Sequence, residues 1–158
     1  MASMVRLDSS AAIQELAVTA GQECGYWYAC HHDPRQHSDS GLYSCSRTEG
    51  QMDFAKAFCR EHVDFYQKWR VTCRLEVRGP LQLRHGSAHF PHPETTILPL
   101  RGIANNEVAP QVQFEMGGEI YVLDWAAGSG TWFPRPIKLS VLAGCLSFLV
   151  IELVPLWR

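Results

Sequence analysis

The chain reads as an α+β protein, two N-terminal helices packed on a six- to seven-stranded antiparallel sheet or partly closed barrel. Three observations predict this. Apolar residues recur at helical spacing in two early segments, residues 11–18 and 51–69, and not afterwards. From Val71 onward the period changes to 2. Gly117-Gly118 joins two alternating runs, the mark of a β-hairpin. Helices first and strands after segregate the two element types, which defines the class. The 158 residues are assigned to a single domain, with an irregular Cys- and His-rich segment at 21–50 inside it.

Each element has its own local cause. Asp8-Ser9-Ser10 caps a helix whose Ile13, Leu16 and Ala17 share a face, and Gly21 is expected to close it at C′. From Gly21 to Gly50 the pattern is irregular, so short elements near Tyr26–Ala29 and Leu42–Cys45, or a ligand, must hold it together. Gln51 to Trp69 lacks Gly and Pro and carries two apolar stripes, Met52/Ala55/Cys59/His62/Tyr66 and Phe54/Phe58/Phe65/Trp69. It predicts one broadly buried helix across a sheet. Val71, Cys73, Leu75 and Val77 then alternate with polar residues as a half-buried strand, followed by a Pro-interrupted loop around His89-Phe90-Pro91-His92-Pro93. A short strand at 95–100, the Gly-Gly hairpin and a final apolar hairpin complete the chain. The apolar core of that tail, Leu139 to Ile151, is shorter than the roughly 20 residues of a spanning helix and has Gly144 near its middle. It predicts two buried strands, with no membrane anchor.

Composition narrows the function classes. A fraction of 46% hydrophobic and 19% charged residues is that of a folded globular protein, and a net charge of −2 leaves nucleic acid unsupported as a partner. No secretory pattern opens the sequence, so an intracellular, cytoplasmic location and reduced or metal-bound thiols are expected.

Five of the six Cys and all seven His lie between Cys24 and His92. Soft, ionisable side chains gathered in one half point to a metal or thiol site. Cys59 and His62, spaced i and i+3, can reach one ion from a helix face, with Cys45, Cys30, His32 or His37 completing a structural zinc site. A second group is Gly79 to Glu94, whose Gly, spaced His85 and His89 and later Glu94 resemble the first metal motif of the cupin barrels. The resemblance implies a mononuclear centre on these residues, although two His there are separated by one residue and here by three. Gln22-Glu23-Cys24-Gly25-Tyr26-Trp27 is similar to the nucleophile segment of papain-like enzymes, which would pair Cys24 with His85, His89 or His92 as base. Last, Arg70, Arg74 and Arg78 beside Lys68 and Trp69 form a basic strand face suited to phosphate or an acidic partner.

No nucleophile triad, acid–base pair or phosphate loop is complete. The first expectation is therefore a non-enzymatic binding or assembly module. Trp125, Trp132 and Trp157 would provide a surface for a protein partner or self-association, and zinc the only metal. The alternative is a small enzyme or small-ligand-binding protein with a pocket between the helices and a curved sheet, lined by His62, Tyr66 and Asp124. Its element order is compatible with the nuclear-transport-factor-2-like group, which it resembles in placing helices before strands.

Overall fold

A computed structural model describes residues 3–30, 41–101, 110–123 and 125–156. The elements run β1 (Val5–Leu7), α1 (Ala11–Gln22), β2 (Tyr28–Ala29), β3 (Leu42–Ser44), α2 (Glu49–Glu61), α3 (Val63–Tyr66), a 3₁₀ turn (Gln67–Trp69), β4 (Cys73–Leu83), β5 (Gly86–Phe90), β6 (Thr95–Leu100), β7 (Gln111–Met116), β8 (Glu119–Leu123), β9 (Gly130–Phe133), β10 (Ile137–Ala143) and β11 (Leu146–Pro155). The α+β class stands, with antiparallel pairing throughout.

The strands form two sheets, seven-stranded in the order β1-β9-β6-β11-β4-β3-β2 and four-stranded in the order β5-β10-β7-β8. Strands β4 to β11 alternate between them as 4-11-6-9 and 5-10-7-8, the connectivity of a double-sheet jelly roll. The sequence reading places Phe90 in a loop, whereas it ends β5. This strand is missed because five residues beside Pro91 and Pro93 carry too little alternation to show.

Side-chain alternation builds three layers. Between the sheets lie Leu81, Leu83, Ala88, Phe90, Ile97, Val112, Phe114, Phe133, Leu139, Phe148 and Val150. On the other face of the larger sheet, Leu98, Leu100, Trp132, Leu149, Ile151 and Leu153 meet Ile13, Ala17, Phe54, Phe58 and Tyr66 of the helices. Strand β11 is covered on both faces, which explains its unbroken apolar run. The tail is thus two strands, β10 and β11, turning at Gly144 with φ of 72°. No helix among the described residues is long and apolar enough to cross a membrane.

Local chemistry fixes the ends. The β7–β8 hairpin turns on Gly117 and Gly118, with φ of 61° and 83°, as a two-residue turn that matches strand twist requires. Ser10 caps α1. Gly21, expected beyond that helix, lies inside it, because α1 passes so close to the end of β6 that a Cβ there would sit 1.7 Å from the carbonyl oxygen of Arg101. The second helix begins earlier than expected through a capping box. Thr48 Oγ1 accepts from Gln51 N (3.1 Å), and Gln51 Oε1 accepts from Thr48 N (2.9 Å). It also ends earlier, at Glu61. The backbone breaks at His62, and α3 and the 3₁₀ turn continue as separate pieces. The irregular segment does contain short strands, β2 and β3, close to where the sequence placed them.

Candidate functional site: a pocket between the helices and the larger sheet

The break at His62 opens a space beneath the helical layer. A cavity of about 330 Å³ lies between the ends of α2 and α3, the 3₁₀ turn, and the outer faces of β4 and β11. Its body is Cys59, Val63, Tyr66, Trp69, Leu75 and Leu153; Arg60, Gln67, Arg70 and Cys73 complete its lining. Leu75 and Leu153 face each other across the β4–β11 ladder.

The polar tips inside are already committed. The Tyr66 hydroxyl shares a 2.6 Å hydrogen bond with Thr96 Oγ1, and burial pushes its pKa upward. Trp69 Nε1 donates to Glu94 Oε1 at 3.2 Å. Both residues therefore present aromatic faces to the cavity. Burial pushes the Cys59 thiol up to about 11, so near neutral pH it lines the wall as a small apolar group and not as a thiolate. Arg60 and Arg70 are exposed, and among the described residues neither guanidinium has an ion-pair partner. The pocket is an apolar slot with two guanidinium groups in its lining that have no ion-pair partner among the described residues.

The other sequence candidates are dispersed. His62 turns toward the start of α1, its Nε2 3.3 Å from Ser9 Oγ and 3.7 Å from Glu61 Oε2, and its ring packs tilted against Phe58, centroids 4.6 Å apart. Desolvation lowers its pKa against the pull of Glu61 and Asp8. Glu61 in turn accepts from Ser10 N at 3.0 Å, so His62 ties α2 to the N-terminal segment. Cys45 lies beside Cys24, not beside Cys59. Cys30 packs against the core between the sheets. His31, His32, His37, Asp124 and Trp157 lie outside the described residues.

His89 points away from the inter-sheet core, since its neighbours Ala88 and Phe90 fill that core. It pairs across the ladder with Lys138, itself opposite Glu115, and these line a separate cavity of about 320 Å³ on the smaller sheet. Cys24 packs with the helices against the other sheet, so the layers keep it from His89 as a base. The basic strand face is largely neutralised: Arg74 and Arg78 reach Glu76 at 2.9 and 3.5 Å, and Arg78 Nε reaches the buried Glu152 at 3.0 Å. Trp132, expected on a contact surface, is 5% exposed, its ring against Phe65 and Trp69.

Sequence reasoning missed Gln51, fully buried, whose Nε2 donates to Ala20 O (3.0 Å) and reaches Cys24 Sγ (3.5 Å). The Thr48-x-x-Gln51 spacing was the available signal. Leu75 and Leu153 as pocket walls had no local signal.

No family model and no curated protein matches the sequence. Solved structures do match its fold. A Pseudomonas putida prolyl-4-hydroxylase superposes with a TM-score of 0.60 at 12% identity, covering 96% of this chain and 92% of that one. An oxidoreductase of the 2OG-Fe(II) oxygenase family from Burkholderia pseudomallei gives 0.56 at 9% identity, covering 96% and 84%. The viral collagen prolyl hydroxylase vCPH from Paramecium bursaria Chlorella virus-1, in its 2OG complex, gives 0.53 at 10% identity, covering 98% and 96%.

These findings correct two expectations. A non-enzymatic protein-binding or assembly module does not fit a fold whose solved counterparts are enzymes, and the small-enzyme or small-ligand alternative fits better. Structural zinc on Cys59, His62, Cys45 and Cys30 is overturned as well. Among the described residues no three His, Cys, Asp or Glu side chains converge on one point, and the counterparts named for a metal are named for iron. The chain shares the architecture of the 2OG-Fe(II) oxygenases and prolyl hydroxylases it superposes on.

Proposed function

We propose that this chain handles a small molecule on an enzyme-type jelly roll, the ligand lying in the pocket between the helices and the larger sheet. The observation that carries the reading is the lining itself: an apolar, aromatic slot of about 330 Å³ with Arg60 and Arg70 exposed at it and, among the described residues, without ion-pair partners. That volume falls in the range of small-molecule sites. Because the Tyr66 and Trp69 polar atoms are engaged elsewhere, recognition rests on apolar contact plus charge. The ligand class this selects is an apolar organic anion, its body against Tyr66, Trp69, Leu75 and Leu153 and its charge toward the two guanidinium groups.

Iron and 2-oxoglutarate, carried by the fold family, do not fit the described residues. A ferrous centre of the two-His, one-carboxylate kind needs three side chains within about 2.2 Å of one ion. His85 precedes β5 and His89 lies near its end, and among the described residues no third His, Cys, Asp or Glu joins them at one point. Glu94 accepts from Trp69, and His92 Nδ1 contacts Pro93 O at 2.7 Å. The space between the sheets, where a jelly roll can hold a ligand, is filled by Phe90, Phe114, Phe133 and Phe148, each 2% exposed or less.

Calorimetric titration with decanoate, beside the neutral alcohol of the same length, tests the reading. Saturable binding of the carboxylate is expected, weakened about tenfold, or about 1.4 kcal/mol, by the double substitution Arg60→Glu with Arg70→Glu. Leu75→Trp, which fills the slot, should abolish it. Absence of saturable binding in the parent protein, or binding indifferent to both changes, would overturn the proposal.

A further inference from the structure

Two thiols that the sequence suggested for different chemistries meet in the structure. Cys24 follows the C-terminal end of α1 and Cys45 follows β3; the segment after Cys45 packs on the end of α1, Thr48 Oγ1 donating to Glu23 Oε1 at 3.2 Å, and the two thiols are neighbours that act on each other's ionisation. Each is held from a separate direction. Cys24 Sγ lies 3.8 Å from Ala20 O, to which it donates, and 3.5 Å from the Nε2 of Gln51, which donates to it. Cys45 N donates to Pro80 O at 3.3 Å, and β3 is paired with β4 through Ser44 and Leu81. Both cysteines are free and partly exposed, so an oxidant can reach them. We propose that Cys24 and Cys45 form an intramolecular disulfide, a modification site joining the end of α1 to the edge of the larger sheet.

Local hydrogen bonding assigns the order of events. Burial raises both thiols, but on Cys45 the Gly25 N–H and the Cys24 thiol offset part of that rise, whereas on Cys24 burial and the neighbouring Cys45 act together and push it up to about 12. Cys45 is the sulfur that ionises first. With a hydroperoxide as oxidant, the Cys45 thiolate attacks the terminal oxygen, the O–O bond breaks, and sulfenic acid and hydroxide (or an alkoxide) form. Cys24 then gives up its proton and attacks the sulfenic sulfur. The S–S bond forms as the S–O bond breaks, and water leaves. Two thiols lose two electrons and two protons, and the peroxide is reduced to water or to water and an alcohol. The Glu23 carboxylate, which accepts from Thr48 Oγ1 at 3.2 Å, adds a smaller push in the same direction on Cys24.

Hydrogen peroxide treatment of the full-length chain, read by peptide mapping without reductant, tests the pairing. A Cys24–Cys45 cross-link is expected as the first to form, with loss of two hydrogens in intact mass, full reversal by dithiothreitol, and a melting temperature raised by roughly 6–12 °C through loop closure. In Cys24→Ser the sulfenic acid on Cys45 should persist and be trapped by dimedone. In Cys45→Ser, Cys24 should stay reduced under the same dose. A first cross-link between any other cysteines, or sulfinic acid on Cys45 while Cys24 remains free, would overturn the proposal.

Discussion

Replacing Phe148 with Ala asks whether the space between the sheets is a packed core or a vacant ligand chamber. Phe148 is 0% exposed and meets Phe90 edge-on, with ring centroids 5.9 Å apart at 71°. On β11 it stands between Leu81 of β4 and Pro99 of β6, so backbone on both sides limits collapse into the void. Removing a phenyl ring from such a site costs about 3–5 kcal/mol, the lost transfer energy plus the cavity left behind. For a chain of this size that lowers the melting temperature by roughly 6–20 °C. Urea unfolding followed by tryptophan fluorescence measures the loss directly, with an unchanged slope showing that the unfolded state is not altered. The new void should stay dry and accept benzene, which would restore part of the stability. A loss under about 1 kcal/mol, with no benzene effect, would mean the barrel interior is loosely filled. A ligand site between the sheets would then have room, and the pocket under the helices would lose its claim.

Two further outcomes follow from particular contacts. Gly21→Ala should destabilise by about 3 kcal/mol or more, because the added Cβ meets the Arg101 carbonyl at 1.7 Å; helix propensity alone predicts a gain of about 1 kcal/mol, so a stabilised variant in thermal melts would refute the close approach. The raised Cys59 thiol makes an alkaline prediction. A group whose folded pKa exceeds its unfolded value of 9.0 contributes fully below that value and loses the contribution as pH rises through the folded value of about 11. Cys59→Ala should therefore remove up to about 3 kcal/mol of the stability lost over that window. Cys24 titrates alike in both proteins and Tyr66 loses only the small push that Cys59 adds to its burial, so parallel stability–pH curves for parent and variant would disprove the burial argument for Cys59.

The candidate site was legible only in part. Tyr66 and Cys59 were visible as members of an apolar helical stripe, and both line the pocket. His62, from the same stripe, does not, because the helix breaks at that residue and turns its ring toward Ser9. Periodicity extends a helix through any run free of Gly and Pro and carries no warning of such a break. The clustering of Cys and His along the chain suggested a metal, yet the fold sends Cys45 to Cys24, Cys30 to the inner core and His89 to the far face of the smaller sheet.

By itself the sequence determined the element types, the Gly117-Gly118 hairpin, the capped first helix and the two strands of the apolar tail. These depend on residues within a few positions of one another, through turn geometry, capping hydrogen bonds and side-chain period. Only the tertiary structure decided the jelly-roll order, the filling of its interior by phenyl rings, the slot under the helices and the meeting of Cys24 with Cys45. Each of these joins residues distant along the chain, and alternation of apolar side chains says that a strand is buried without saying which strand lies beside it.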